Sequence, residues 1–179
     1  SLMMDVFEAI EKRHSYRGPF RDVPVPRKDL ERIVQAALRA PSGYNAQTTS
    51  FVIVDDPALL AELSAMNPES VALRTAKAVI VCGMDKPEPD SERIFFGPEN
   101  YGAAVENAWL AATALGYATV WIDGWLRREG RAEAVACLLG VPDHVEVRVL
   151  LPIGVPAEPG HQREKRLFHE RAWWNRYGG

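Results

Sequence analysis

Cysteine is scarce in this chain: Cys82 and Cys137 stand alone in apolar surroundings. Isolated thiols of that kind suit core packing in a reducing compartment better than a disulfide, so both are expected in the core. Histidine is scarce too, and four scattered imidazoles with two thiols never reach metal-ligand spacing, so no metal site is expected. No apolar run approaches the roughly eighteen residues of a membrane span, and no signal-like leader is seen; the expected setting is cytoplasmic. A net charge of −3 supplies no general field for nucleic acid or anionic membrane, so the basic residues are read locally. The Gly-rich loops that cradle phosphates in many nucleotide-binding folds are also missing. Ser1-Leu2 ahead of Met3 looks like an expression remnant and is left out of the fold reasoning.

What is present is a globular composition, 47% hydrophobic and 25% charged over 179 residues. That is enough for one well-packed domain and too little for two ordinary ones, and with no internal repeat or dividing linker the chain reads as a single domain over 1–179. Asp5 caps a short helix with Val6, Phe7 and Ile10 as its apolar stripe. From Pro26 to Ala40, Leu30, Ile33, Val34, Ala37 and Leu38 follow the i, i+3, i+4, i+7, i+8 pattern of an amphipathic helix, which Pro41 and Gly43 break. Further helices are expected over Pro57 to Met66, over 99–116, and from Arg131 to Leu139 with Gly140 as the stop. Strands are expected over Phe51 to Val54, Ala78 to Cys82 and Thr119 to Ile122. A fourth is expected where Val145, Val147, Val149 and Leu151 alternate with Glu146, Arg148 and Leu150. Asp85 to Gly97, with Pro87 and Pro89, reads as a loop or lid.

The chemistry gathers in two segments. In Arg13-His14-Ser15-Tyr16-Arg17, extended backbone puts Arg13, Ser15 and Arg17 on one face, the two arginines about 13 Å apart at roughly 3.3 Å per residue. That is near the span from the phosphate of FMN to the pyrimidine edge of its ring, and a guanidinium can clamp a phosphate with two parallel hydrogen bonds. Taken alone, the same residues read as ordinary charges at a helix C-terminus. The second segment, Pro41-Ser42-Gly43-Tyr44-Asn45-Ala46-Gln47, offers hydroxyl and amide groups suited to ribityl hydroxyls and ring heteroatoms, or, read blandly, a helix-ending turn.

Together the two segments resemble the start of the FMN-dependent nitroreductase family, whose members open with an Arg-x-Ser-x-Arg or similar basic segment and then a Pro-Ser-x-x-Asn-x-Gln turn. The resemblance continues through Gly102-Ala103-Ala104-Val105-Glu106-Asn107-Ala108-Trp109, similar to the family's long central helix. It also takes in Trp121-Ile122-Asp123-Gly124, similar to the loop beside the flavin, and Leu151-Pro152-Ile153-Gly154, similar to the last strand. One departure is Thr48-Thr49, where many members have Pro-Trp after the Gln.

The resemblance implies an α+β fold with a central mixed sheet flanked by helices, and a homodimer whose C-terminal arm, 157–179, wraps the second subunit. It implies FMN as cofactor, NAD(P)H as hydride donor, and a nitroaromatic, quinone or other conjugated acceptor in ping-pong chemistry; a low-turnover redox sensor or FMN carrier is the alternative. No protein side chain is implied as a catalytic group, because flavin N5 carries the chemistry. The implied cofactor-binding residues are Arg13, His14, Ser15, Arg17, Pro41, Ser42, Asn45, Gln47, Trp121, Ile122, Asp123, Gly124, Arg163 and Lys165. Arg13, His14 and Ser15 fall to the phosphate and ribityl region, Arg17 to the N1/O2 edge, and Arg163 and Lys165 to the phosphate. A backbone N–H of Asp123 or Gly124 falls to N5, and the 41–47 turn reaches the flavin from the other subunit. Trp125, Phe95, Phe96 and Tyr101 are candidate pocket walls. Trp173-Trp174 cannot both be covered by one surface if extended, which fits an arm lying on a partner chain.

Overall fold

The computed structural model describes residues 4–179; Ser1-Leu2, set aside above, lie outside them. The chain runs α1 (Val6–Lys12), α2 (Arg27–Leu38), β1 (Thr49–Val54), α3 (Pro57–Met66), α4 (Val71–Thr75), β2 (Ala78–Asp85), α5 (Gly97–Ala114), β3 (Ala118–Thr119), α6 (Arg131–Leu139), β4 (Val145–Gly154) and α7 (Phe168–Arg171). Sequence signals set many of the ends. Asp5 and Asp56 accept from the backbone N–H of Glu8 and Leu59 and so cap α1 and α3, and Gly140, at φ 70°, closes α6.

The sheet has the order β1-β2-β4-β3, and every neighbouring pair is antiparallel. This corrects the mixed sheet expected above. Val54 pairs with Val79, and Asp85 with Val145, so each long connection leaves and re-enters the sheet at the same end and reverses the chain. Among the described residues, parallel pairing is confined to the single bridge Ser15–Thr119, where the basic segment lies beside β3.

Both faces of the sheet are covered. Val79, Val81, Val147 and Leu150 pack with Leu63 of α3, Leu73 of α4 and Val135 of α6. Ile80, Cys82, Val149 and Leu151 pack on the other face with Leu30 and Ile33 of α2 and Val105 and Ala108 of α5. The strict alternation expected for β4 therefore fails, because Val147 and Val149 serve opposite cores. The cause is a bulge: Cys82 pairs with Val149 and Gly83 with Val147, leaving Arg148 as the extra residue. Gly83 sits opposite, where an added Cβ would lie 2.6 Å from Val145 Cγ1.

Three further expectations change. Cys82 is fully buried, and burial pushes its thiol up to about 12, but Cys137 is exposed on α6. The third strand is only Ala118–Thr119, with Ile122 returning as an isolated bridge to Leu150. The stripe of α1 faces outward: Val6, Phe7 and Ile10 are exposed.

Candidate functional site

The basic segment is held by its neighbours rather than left loose. Arg13 caps the end of α1, and its guanidinium lies 4.6 Å from the centre of the Trp109 ring and 3.8 Å from Glu106, both on α5. Tyr16 is buried and donates its backbone N–H to Thr119; its hydroxyl donates to the Pro19 carbonyl and accepts from the backbone of Ala157 and Glu158. That hydroxyl ties the start of the C-terminal stretch to the basic segment. Gln162 adds a second tie, its amide donating to the carbonyls of Ile10 and Arg13 at 2.9 and 2.7 Å.

Between the two segments lies a cavity of about 360 Å³ whose lining includes Arg13, His14, Ser15, Arg17, Arg163 and Lys165. Among the described residues Glu158 is the one carboxylate in that lining, so the cavity presents mainly cations. His14 donates Nδ1–H to the Lys12 carbonyl at 2.9 Å, while its Nε2 is buried against Gly160 with no partner among the described residues. Guanidinium and ammonium donors gathered in one cleft suit a ligand rich in acceptor oxygens. Arg17 also lines a second cavity of about 320 Å³, shared with Val120, Trp121 and Ile122. Six of the expected binding residues thus share one cavity, and Arg17 links it to two more.

The Asp123 side chain is already committed. It accepts from Arg127 Nε at 2.8 Å, from an Arg148 guanidinium N–H at 3.0 Å and from the Trp121 indole at 3.3 Å. Burial, the largest single influence, pushes its pKa up; the bonds from Arg127 and Trp121 and the charges of Arg148 and Arg127 together outweigh it and hold the carboxyl below the usual carboxylate range. Among the described residues the backbone N–H groups of Asp123 and Gly124 donate to nothing, so the loop offers its main chain. A Cβ on Gly124 would meet nothing within 4 Å in this chain, so close approach inside the subunit does not explain the glycine.

Pro41, Ser42, Asn45 and Gln47 line neither cavity. They form a tight turn in which Tyr44, Asn45 and Gln47 have φ of 59°, 53° and 51°, a left-handed conformation uncommon outside glycine. Ser42 Oγ accepts from the Gln47 backbone, and the Gln47 amide donates to the Asn45 carbonyl. The turn borders a third cavity of about 510 Å³ with Phe95 and Phe96; Tyr101 is buried, and Trp125 stacks under Arg131 at 5.0 Å.

Two residues here are not among the expected site residues. Asn100 is buried, accepts from Gly43 N–H at 2.9 Å and donates to Thr48 Oγ1 at 3.0 Å, pinning the turn. Its signal was available: an amide at the start of a mostly apolar helix face. Arg148 is buried too, with no comparable signal, because in the sequence it is one of the residues alternating with the valines of β4.

The chain is similar to known proteins along most of its length. The nitroreductase family matches residues 10–72 and 64–155. A protein of Methanothermobacter thermautotrophicus, provisionally named NADH dehydrogenase/NAD(P)H nitroreductase, is 33% identical over 160 residues, covering 88% of this chain and 81% of its own. The FMN-dependent nitroreductase of Clostridium difficile R20291 superposes with a TM-score of 0.79 at 26% identity, covering 96% of this chain and 99% of that one. The NADPH:FMN oxidoreductase of Vibrio harveyi, solved in complex with NAD+, gives a TM-score of 0.81 at 27% identity over 97% of this chain and 78% of that one. On the extent of those matches, the chain belongs to the nitroreductase family of oxidoreductases.

Proposed function

We propose that this protein binds FMN and passes hydride from NAD(P)H to a nitroaromatic, quinone or other conjugated acceptor, working as a homodimer. The observation that carries the reading is the cationic cavity between segments 13–17 and 158–165, joined through Arg17 to Trp121 and Ile122. The relatives named for FMN and NAD(P)H support it. FMN would supply the two-electron chemistry through N5.

The residues present suit such a group. Arg13, Arg163 and Lys165 are the cations available to a phosphate, and His14 lines the same cavity. Arg17, shared by both cavities, would set a positive charge beside the N1/O2 edge, where negative charge develops on reduction. The free N–H groups of Asp123 and Gly124 are the donors available to N5. The turn at 41–47 lines neither of these cavities and would reach the flavin of a second subunit, completing two shared sites per dimer.

The test is the visible spectrum of the purified protein, followed by oxidation of NADH and NADPH with a quinone and a nitroaromatic. Yellow protein with turnover is the expected result. Protein that is colourless and refuses added FMN would overturn the reading, and yellow protein without turnover would favour a flavin carrier.

A further inference from the structure

We infer that Glu69 is a specificity-determining residue for the cofactor: its carboxylate accepts the N3–H at the pyrimidine edge of the flavin, while Arg17 and Asn67 donate to the neighbouring carbonyls. This rests on the reading that Arg17 serves the N1/O2 edge of FMN.

The cavity of about 320 Å³ that Arg17 shares with Trp121 and Ile122 is also lined by Asn67, Glu69 and Ser70, from the connection between α3 and α4. Ser70 is already engaged, its hydroxyl accepting from Leu73 N–H at 3.2 Å. Among the described residues the side chains of Arg17, Asn67 and Glu69 have no hydrogen-bond or ion-pair partner. A guanidinium and a carboxylate that line one cavity without pairing leave both charges available to a third group. The backbone that carries them is anchored. Asn67 N–H bonds the Ser64 carbonyl and Ser70 N–H the Asn67 carbonyl, each at 3.1 Å, and the Arg74 guanidinium donates to the Pro68 carbonyl at 2.8 Å. Arg17 follows Tyr16, which is buried and bonded to Thr119.

The chemistry of these side chains mirrors one edge of the ring. A flavin pyrimidine presents O2, N3–H and O4 in a row: an acceptor, a donor and an acceptor. Arg17 only donates, an ionised Glu69 only accepts, and the Asn67 amide does either, so Arg17 and Asn67 suit the two carbonyls. Among the described residues Glu69 is the one carboxylate in the lining, and an N3–H taken out of water without an acceptor costs free energy. Glu69 also opposes Arg17 electrostatically. A carboxylate near the ring disfavours the negative charge that develops there on reduction, so the two side chains move the potential in opposite directions. A carboxylate just ahead of α4 is favoured by the helix dipole as well, but that role is blind to N3.

The experiment measures the dissociation constants of FMN and N3-methyl-FMN, by flavin fluorescence, for wild type, Glu69→Gln and Glu69→Leu. The midpoint potential of bound FMN is read by dye-equilibrated titration. Wild type should prefer FMN to its N3-methyl form by about thirtyfold, the scale of a charge-assisted hydrogen bond. Glu69→Leu should weaken FMN binding by about tenfold and leave N3-methyl-FMN nearly unchanged, narrowing the preference to about threefold. Glu69→Gln keeps an acceptor without its charge and should fall between, and both variants should raise the potential. Glu69 is exposed, so both variants should fold, and either one suffices for the comparison. A wild type that binds the two flavins equally, a preference unchanged by the substitutions, or a potential that does not rise would overturn the inference alone. A wild type that takes up no FMN would overturn the functional reading and this inference with it.

Discussion

Arg13 and Arg17 look alike in sequence and differ in their surroundings. Arg13 is packed against Trp109 and Glu106 and so is bound into the α1–α5 contact, while Arg17 is exposed and lines both cavities. Arg13→Ala should therefore weaken FMN binding by about 1.5 to 3 kcal/mol through a lost charge-assisted bond, and should also lower the unfolding midpoint. Arg17→Ala should leave stability nearly unchanged, weaken binding, and lower the flavin potential, because a cation beside N1/O2 favours the reduced anion. Dye-equilibrated redox titration and urea unfolding on both variants separate the two roles, and equal effects on potential would show that the division is wrong. The residue types and spacing were legible from sequence. Which arginine was already engaged by α5 was not, because that contact depends on how α1 crosses a distant helix.

At the level of elements, helices with strong local signals were readable and features made by neighbours were not. The start of α3 follows from Asp56 and Pro57 and the end of α6 from Gly140, each signal lying at the helix end it sets. The short helix α4 is marked only by its N-cap Ser70, which accepts from Leu73 N–H, and the bulge at Arg148 has no such punctuation. The bulge arises where β4 meets Gly83, far away in the chain, and it moves Val147 and Val149 to different cores. The turn at 41–47 mixes the two cases: its Pro-Ser-Gly-Tyr-Asn chemistry announced a turn, yet its left-handed residues are held by Asn100 and Phe96 of another element. An added Cβ at Gly43 would lie 2.2 Å from Phe96 Cδ2, and losing Asn100 would strip Gly43 N–H of its acceptor. Gly43→Ala is expected to cost about 1 to 3 kcal/mol by overpacking. Asn100→Ala should cost a similar ~1 to 3 kcal/mol by leaving a donor unpaired. Because both act on the same turn, the double variant should fall short of the sum in urea denaturation.

Several large apolar side chains near the two ends of the chain are left without cover. Trp174 and Tyr177 are 81% and 89% exposed, Phe7 is 76% exposed, and Leu167 and Phe168 of the C-terminal stretch are exposed as well. Trp173 packs on Tyr177 at 4.0 Å between ring centres, so one tryptophan of the pair is partly sheltered and the other is not. Exposed patches of that kind mark association surfaces, and the proposed dimer would bury them beneath a second copy. The same C-terminal stretch carries Arg163 and Lys165 into the cationic cavity, with Gln162 tying it to Arg13. Dimer contact and cofactor site would then depend on one arm. Deleting residues 173–179 should weaken the dimer and release FMN together, while leaving Arg163, Lys165 and the Gln162 tie in the chain. Sedimentation velocity read alongside flavin fluorescence, with the intact protein as control, makes the measurement. A truncated protein that remains dimeric and retains its flavin would mean that the last seven residues are dispensable to both, and the association surface would have to be sought on α1.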